Sequence, residues 1–447
     1  MIVRRVGNLA AEITSFVGRD DEVVAGAAML AEGRLLTVAG PAGVGKSRTA
    51  LRIAMALRRS CPDGLWHVEL SRVAAGRSAA EGEAALVEAV ARALALDGGV
   101  SSARDLAAAL RERRALLLLD TCDHLIGPVV RLAEHVLAAA PRMHILATGR
   151  RAIPVGEVLR LRPLPLTDPA APDPASPSVV LFADRAVAVD PDFRLTGEVL
   201  PAVAEICRRV DGLPLAIELA AARTRSLSPG ELLAMMDGGF SVLSGVGAAF
   251  PSRHRDLRAA VAWSYNLCEK RQRALWDVLA AVKGPFDLAA AERAAAQAGP
   301  ADDVADVLAE LVERSILLRE PTPSHYRMPD VYRWFALERY GATGSWTGAP
   351  AGAVTTHAEG PSGDGARAGH PLDHALTPRE LQVAELIAEG LSNAQIARNL
   401  QIAKRTVDAH VRNILAKGRL VSRTQIAAWV AEREHRPDAF SGKEPDV

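Results

Sequence analysis

Residues 34–57 read Arg34-Leu35-Leu36-Thr37-Val38-Ala39-Gly40-Pro41-Ala42-Gly43-Val44-Gly45-Lys46-Ser47-Arg48-Thr49-Ala50-Leu51-Arg52-Ile53-Ala54-Met55-Ala56-Leu57. The apolar run Leu35, Leu36, Val38 and Ala39 predicts a short strand buried on both faces, as in a parallel sheet. Beyond Ser47, apolar residues fall at Ala50, Leu51, Ile53, Ala54 and Leu57, the period of a helix. Three glycines stand between strand and helix, and a lysine and a serine open the helix.

That order, strand then G-x-x-x-x-G-K-S then helix, is the pattern of a phosphate-binding loop. Gly40, Gly43 and Gly45 allow backbone N–H groups to turn inward around a polyphosphate, and the helix N-terminus adds positive potential. Lys46 is placed to reach the terminal phosphates and the Ser47 hydroxyl to ligate Mg²⁺. Val44, between the glycines, and Arg48, in the first helical turn, complete the expected contacts. The expected cofactors are a nucleotide and Mg²⁺.

The chain of 447 residues is long enough for about three domains with cores of their own. Lysine plus arginine and aspartate plus glutamate each number 53, so overall charge names no polyanionic partner and any basic surface must be local. Cys61, Cys122, Cys207 and Cys268 are far apart and lack metal-ligand spacing, which predicts reduced, packed thiols. Residues 1–20 carry no secretory signal pattern, and no apolar run reaches membrane-spanning length. The expectation is a soluble, cytoplasmic protein without a membrane partner.

Strands and helices alternate after the loop. Strands are expected at Leu65–Leu70, Ala115–Leu119 and His144–Ala147, and helices at Glu83–Leu96, Ala103–Arg113 and Val129–Ala140. This alternation implies a parallel sheet covered on both faces, with ligands at the carboxyl edge. Two strand ends are polar. Leu116 to Leu119 run into Asp120, the pattern of a Walker B strand, which places Asp120 beside Mg²⁺. Thr148 leads into Gly149-Arg150, where Arg150 could touch the terminal phosphate. No second acid follows Asp120. Asp123 is the nearest carboxylate, either orienting water or capping a helix that begins near His124. Binding is therefore better supported than rapid hydrolysis, and the expected turnover is at most that of a slow regulatory ATPase.

Pro169, Pro172, Pro174 and Pro177 mark Thr167–Ser178 as a surface linker. Mostly helical sequence follows to Tyr340, including a helix at Ile217–Ala222 and helical period over Leu257–Leu279 and Val304–Leu318. Phe16-Val17-Gly18-Arg19, Gly40–Ser47, Leu116–Asp123, Thr148-Gly149-Arg150 and Gly212-Leu213-Pro214-Leu215, taken in this order, resemble the NB-ARC group of STAND signalling ATPases. The resemblance covers nearly all of residues 10–340. It implies a nucleotide-binding domain (1–160), a helical domain (161–250) and a winged-helix domain (251–340) around one ATP or ADP. It further implies Val17 and Arg19 on the adenine side and Pro214 against the nucleotide. Where that family carries Met-His-Asp, this chain has Met328-Pro329-Asp330, and proline cannot supply the histidine's contact with ADP.

Glycine and proline make up eleven of the thirty-one residues from Gly341 to Pro371. This reads as a flexible tether, within a linker taken as 341–372, with ends about 30 Å apart as a random coil. A last domain is expected at 373–435, followed by a tail at 436–447. Thr377-Pro378-Arg379-Glu380 forms a capping box with proline at the first helical position, and Ser392-Asn393-Ala394-Gln395 forms a second. A tight turn at Gln401-Ile402-Ala403 precedes a third helix, Lys404–Lys417. Short helix, turn, helix is a helix-turn-helix arrangement. Val407, Val411 and Ile414 share one face of the third helix; Arg405, Asp408, Ala409 and Arg412 share the other. Residues 376–431 hold eight basic and four acidic side chains, a local excess suited to phosphate neutralisation.

This segment resembles the LuxR-type DNA-binding domain through Leu376–Glu380, Gly390–Asn393, Ile396-Ala397, Thr406-Val407 and His410–Ile414. The resemblance implies Asp408, Ala409 and Arg412 at base edges and Lys404, Arg405 and Thr406 on phosphates, with the helix Thr424–Ala431 as a pairing surface. Ala403 stands where that family has a serine cap, and Lys417–Val421 departs from its usual turn. The fold class expected is multidomain: an α/β P-loop domain with a parallel sheet, all-α helical and winged-helix domains, and a C-terminal all-α helix-turn-helix. The expected function is a nucleotide-switched transcriptional regulator of double-stranded DNA, acting as a homo-oligomer: a dimer on DNA, or larger when ATP-bound. The rival is an ATP-dependent oligomerising scaffold whose C-terminal bundle recruits protein.

Overall fold

The computed structural model describes residues 7–9, 14–76, 78–96, 98–237, 239–243, 257–298, 303–320, 322, 324–343 and 376–388, then 396–397, 399–400, 402, 406–407, 410–411, 413–414, 417 and 430. The chain divides into two units, Met1–Ala353 and Val354–Val447.

The first unit opens with α1 (Asp20–Gly33), β1 (Leu35–Ala39) and α2 (Lys46–Ala56). There follow β2 (Leu65–Glu69), α3 (Ala79–Ala93), α4 (Ala103–Leu110), β3 (Leu116–Asp120), α5 (Ile126–Ala139), β4 (His144–Gly149) and β5 (Glu157–Arg160). The strands form one parallel sheet in the order β2-β3-β4-β1-β5. Alternation along each strand sends side chains to opposite faces. Leu36, Val38, Leu116, Leu118 and Leu146 enter one core. Leu35, Leu117, Leu119, Ile145 and Ala147 enter the other, beneath α3, α4 and α5. With loop 40–45 between β1 and α2, this is the expected P-loop architecture.

Helices α6 (Pro177–Val189), α7 (Leu200–Arg209), α8 (Pro214–Ala221) and α9 (Pro229–Met236) come next. They are followed by α10 (Leu257–Asn266), α11 (Lys270–Leu279), α12 (Leu288–Ala298) and α13 (Val304–Glu313). An antiparallel pair, β6 (Leu318–Arg319) and β7 (Tyr326–Arg327), precedes α14 (Asp330–Thr343). The large core on the Leu36 face runs continuously into these helices, with Trp276, Tyr332 and Phe182 among its fully buried side chains.

Several boundaries differ from the sequence expectation for identifiable reasons. The helix expected from Glu83 starts at Ala79, because the Ser78 side chain accepts from the Glu81 N–H. The period over 257–279 is broken after Asn266 and restarts at Lys270, where Glu269 and Gln272 form a capping box. The proline-rich stretch ends sooner than expected, since Pro177 is the first residue of α6. The sequence pattern does not mark strand β5. Its half-exposed residues, Glu157-Val158-Leu159-Arg160, lack the apolar run of an interior strand because β5 is the sheet edge. All four cysteines are buried free thiols.

In the second unit, α15 (Pro378–Ala388) is opened by Thr377 and Glu380, each side chain accepting the other's backbone N–H at 3.3 and 2.9 Å. Val383, Ala384, Ile387, Ile396, Ala397, Val407, Val411, Ile414 and Val430 form its core. The apolar face assigned to the third helix is thus buried. Among the described residues no helix is long and apolar enough to cross a membrane.

Candidate nucleotide site and helix-turn-helix unit

The loop between β1 and α2 is held in a conformation that its glycines make possible. Gly45 caps α2 with φ +97°, a left-handed geometry costly for a side-chain-bearing residue, although nothing lies within 4 Å of where its Cβ would be. Gly43 is needed for space as well: a Cβ there would sit 2.9 Å from the Cβ of Leu215, whose N–H donates to the Gly43 carbonyl at 3.0 Å. The loop is therefore pressed directly against the start of α8.

Lys46 turns its ammonium back onto the loop, donating to the carbonyls of Gly40 at 2.9 Å and Pro41 at 2.8 Å. Burial, followed by the nearby Arg150 guanidinium, lowers its pKa to about 8 against the opposing pull of Asp123 and Asp120. The Ser47 hydroxyl donates to Asp120 Oδ1 at 2.7 Å, and Thr148 donates to the same oxygen. Asp120 is 1% exposed. Burial raises its pKa, but the contacts of His67, Thr148 and Ser47 outweigh that and bring it to about 2. The opposite oxygen, Oδ2, is buried without a hydrogen-bond partner, as is Nη1 of Arg150.

A cavity of about 600 Å³ opens over this loop, within the usual range for small-ligand sites. Gly43, Val44, Gly45, Lys46, Ser47 and Arg48 line its floor. Val17, Arg19, Asp123, Arg150 and Pro214 reach it from four other segments. Gly40 and Asp120 lie behind the wall, Gly40 holding Lys46 and Asp120 holding Ser47. Arg19 uses its guanidinium on protein, donating to the carbonyls of Val44 at 3.0 Å and Arg162 at 2.7 Å, so it braces the loop. Arg48 donates to the carbonyls of Thr14 and Ser15. Asp123 does not cap α5, whose N-cap is Leu125 with no side-chain bond. Its Oδ1 accepts the Arg150 backbone N–H at 2.7 Å, tying the ends of β3 and β4 together.

These donor sets fit the expected cofactors. An ammonium, a buried guanidinium nitrogen without a partner and a helix N-terminus converge on one cavity, which suits a polyphosphate. The Ser47 hydroxyl and the Asp120 Oδ1 beside it suit a hard divalent cation. When bound, Mg²⁺ would neutralise phosphate charge. Ser47 and Asp120 are the residues that would hold it.

Sequence reasoning missed a second set of residues. The Ala42 N–H donates to the Tyr332 hydroxyl at 2.7 Å, across 290 positions. Ser315 Oγ donates to the Arg150 carbonyl at 2.9 Å. Asp211, just before Gly212, has left-handed φ of 55° and is buried. Its carboxylate pairs with Arg327 and accepts the backbone N–H groups of Asp330 and Val331, so it caps α14 from a distance. At Met328-Pro329-Asp330, Pro329 contributes its carbonyl, which accepts from the N–H groups of Tyr332 and Arg333. Nothing local in the sequence marks these roles: Tyr332 reads as one more large residue on a helix, and Asp211 as a turn.

In the second unit, Thr406 is helical and exposed. Lys404, Arg405, Asp408, Ala409 and Arg412, the other expected DNA contacts, lie outside the described residues, as does the expected pairing helix except at Val430. Two of the basic residues counted toward phosphate neutralisation are engaged internally: Lys417 pairs with Glu380 at 2.6 Å, and Arg379 donates to Leu400 O at 2.9 Å.

Residues 374–430 match the family described as bacterial regulatory proteins, luxR family. Over 55 residues the chain is 51% identical to the nitrate/nitrite response regulator protein NarL of Escherichia coli K12, covering 12% of this chain and 26% of NarL. It is 35% identical over 339 residues to the uncharacterized protein Rv0894 of Mycobacterium tuberculosis, covering 74% of this chain and 83% of that one. It is 39% identical over 326 residues to the "Putative HTH-type transcriptional regulator Rv0890c" of the same organism, covering 71% of this chain. The chain spans about a third of the length of that regulator, 35%. Among solved structures, the Walker-type ATPase PABY2304 of Pyrococcus abyssi superposes with a TM-score of 0.49 at 14% identity, covering 74% of this chain and 99% of that one.

Proposed function

The chain belongs to the family of these mycobacterial proteins, with a P-loop parallel-sheet unit and a C-terminal LuxR-type helix-turn-helix unit, and on that premise we propose that it is a nucleotide-switched transcriptional regulator. Its class within the P-loop proteins is the NB-ARC type of STAND ATPase, with nucleotide-binding, helical and winged-helix domains at 1–160, 161–250 and 251–340. ATP or ADP with Mg²⁺ occupies the cavity over Gly40–Ser47, double-stranded DNA is the partner of residues 373–435, and the protein works in the cytoplasm as an oligomer.

One observation carries the switch. The phosphate loop is hydrogen-bonded through Ala42 to Tyr332, and that residue lies on α14, whose N-terminus is capped by Asp211 beside the Gly212–Leu215 segment that contacts Gly43. To meet a polyphosphate, Lys46 would leave the carbonyls of Gly40 and Pro41, the two residues directly before Ala42. A change in the loop is thereby delivered to α14, the last helix before residues 344–372. Asp123 orients water only slowly, since its carboxylate already holds the Arg150 N–H.

Filter or gel-shift binding of full-length protein to promoter fragments, with ATP, ADP or neither, tests this reading. Lys46→Ala should abolish the nucleotide dependence, while a fragment of residues 372–435 should bind DNA regardless. Binding by Lys46→Ala indistinguishable from wild type under all three conditions would remove the switch. Affinity that is flat in salt would remove DNA as the partner, because phosphate contacts release counterions.

A further inference from the structure

Asp120 has two differently used oxygens. Oδ1 accepts the hydroxyls of Ser47 and Thr148. Oδ2 faces the other way, buried and without a hydrogen-bond partner, 3.6 Å from Nε2 of His67, which is also buried and without one. That separation is too long for a hydrogen bond. It is the separation of two ligands on one ion: atoms each about 2.1 Å from a cation lie roughly 3 to 4 Å apart.

The topology brings in a third ligand. His67 and Glu69 are two residues apart on β2 and share a face, and Glu69 is paired in register with Asp120 on β3. One ligand atom from each of His67, Glu69 and Asp120 lies within 4.8 Å of the others. The strand that carries two of them is pinned at His67, whose N–H donates to Asn8 Oδ1 at 2.6 Å and whose carbonyl accepts from Asn8 Nδ2 at 2.8 Å. Glu69 also lines the cavity, so an ion can enter from solvent there.

We infer that His67, Glu69 and Asp120 Oδ2 form a second divalent-cation site, on the far side of Asp120 from Ser47. An imidazole with two carboxylates is a softer set than the all-oxygen shell Mg²⁺ prefers, so the site selects a first-row transition ion such as Mn²⁺ or Zn²⁺. It requires no nucleotide, and its ligands are distinct from Lys46 and Arg150. Asp120 then serves both sides, one oxygen toward the phosphate-loop serine and one toward the imidazole.

The test uses chelator-stripped, nucleotide-free full-length protein titrated with Mn²⁺, following the free-ion signal by electron paramagnetic resonance and ligand nitrogen by pulsed methods. One ion per chain with a ¹⁴N coupling is expected. His67→Gln should lose the coupling and weaken binding by more than the roughly 10- to 100-fold that loss of an outer-shell partner costs. Glu69→Gln should weaken binding with the coupling retained. Lys46→Ala should keep the ion, which separates this site from the nucleotide reading above. If His67→Gln does not fold, Zn²⁺ protection of His67 from diethyl pyrocarbonate in the wild-type chain, read by mass spectrometry, decides the same point. No ion bound without nucleotide, a bound ion without nitrogen coupling, a coupling that survives in folded His67→Gln, or an unprotected His67 would each overturn the site.

Discussion

Two aspartates, each almost fully buried, stand at the end of β3 and just before α8, and their neighbours leave them with opposite chemistry. Asp120 ends β3 and is brought to a pKa of about 2; Asp211, before α8, is pushed to about 6. Burial acts upward on both and is the largest influence on each. At Asp120 the contacts of His67, Thr148 and Ser47 overcome it. At Asp211 the Arg327 guanidinium pulls down, but Asp330 adds to the upward push and burial prevails. Asp120 thus keeps its charge at neutral pH with one oxygen uncommitted, as a cation ligand must. Asp211 is a closed arrangement whose oxygens are already committed to Arg327 and to the start of α14. The sheet edge is built to receive charge; the facing helices are built to hold position.

The largest expected effect tests the sheet edge. Lys46→Ala removes a cation from the cavity and should weaken ATP binding on the order of 100-fold, measured with a fluorescent nucleotide. Because the ammonium is desolvated and bonded only to loop carbonyls, urea stability of the free protein should change by less than about 1 kcal/mol. A large stability loss would mean that Lys46 holds the fold, and the division between the two sides would not stand.

Asp211→Ala tests the facing side. It strips Arg327 of one partner and leaves the first N–H groups of α14 without an acceptor, so a loss of about 2–3 kcal/mol is expected by urea unfolding. Arg327 retains Glu320 at 2.8 Å, which keeps the loss from being larger. Asp211→Asn, which keeps the shape and tolerates a left-handed backbone, should cost less. The two aspartates also give opposite pH dependence. Asp211 has its folded pKa above the ordinary carboxylate value, so the folded state binds more protons between about pH 4 and 6 and stability falls as pH rises through that window. Acidifying from pH 7 to 5 should therefore stabilise the wild type by about 1 kcal/mol, and Asp211→Asn should lack that gain. Asp120 has its folded pKa below that value; its contribution is present above about pH 4 and is lost as pH falls toward 2.

The same contrast explains what could be read in the chain beforehand. Gly40–Ser47 and Leu116–Asp120 are short segments whose chemistry depends on residues within one turn or one strand, so spacing alone located the loop, Lys46, Ser47 and Asp120. Arg150 was located by its strand end. Arg19 was expected near the cavity and is there, but its guanidinium braces Val44 and Arg162. Asp211, Ser315 and Tyr332 act through partners 116 to 290 positions away, and no local pattern encodes such a pairing. In the sequence His67 carries no signal beyond that of a strand residue. Its approach to Asp120 depends on β2 lying beside β3, a neighbour relation that alternation of elements does not specify.

The smallest expected effect addresses the link between the two sides. Tyr332 is buried, its ring set edge-on to Trp276 with centroids 5.5 Å apart, and the Trp276 indole N–H donates to the Tyr332 carbonyl at 3.3 Å. Tyr332→Phe leaves that packing intact and removes the acceptor for the Ala42 N–H together with the hydroxyl's contact with Ser264. Stability should fall by roughly 0.5–1 kcal/mol, the usual worth of one hydrogen bond. If the bond restrains the loop, ADP release should quicken by about two- to fivefold while the pH profile set by Asp211 stays as in the wild type. An unchanged release rate in a variant whose stability does fall would show the bond to be packing alone, and the phosphate loop would then communicate with the helices through the Gly43–Leu215 contact instead.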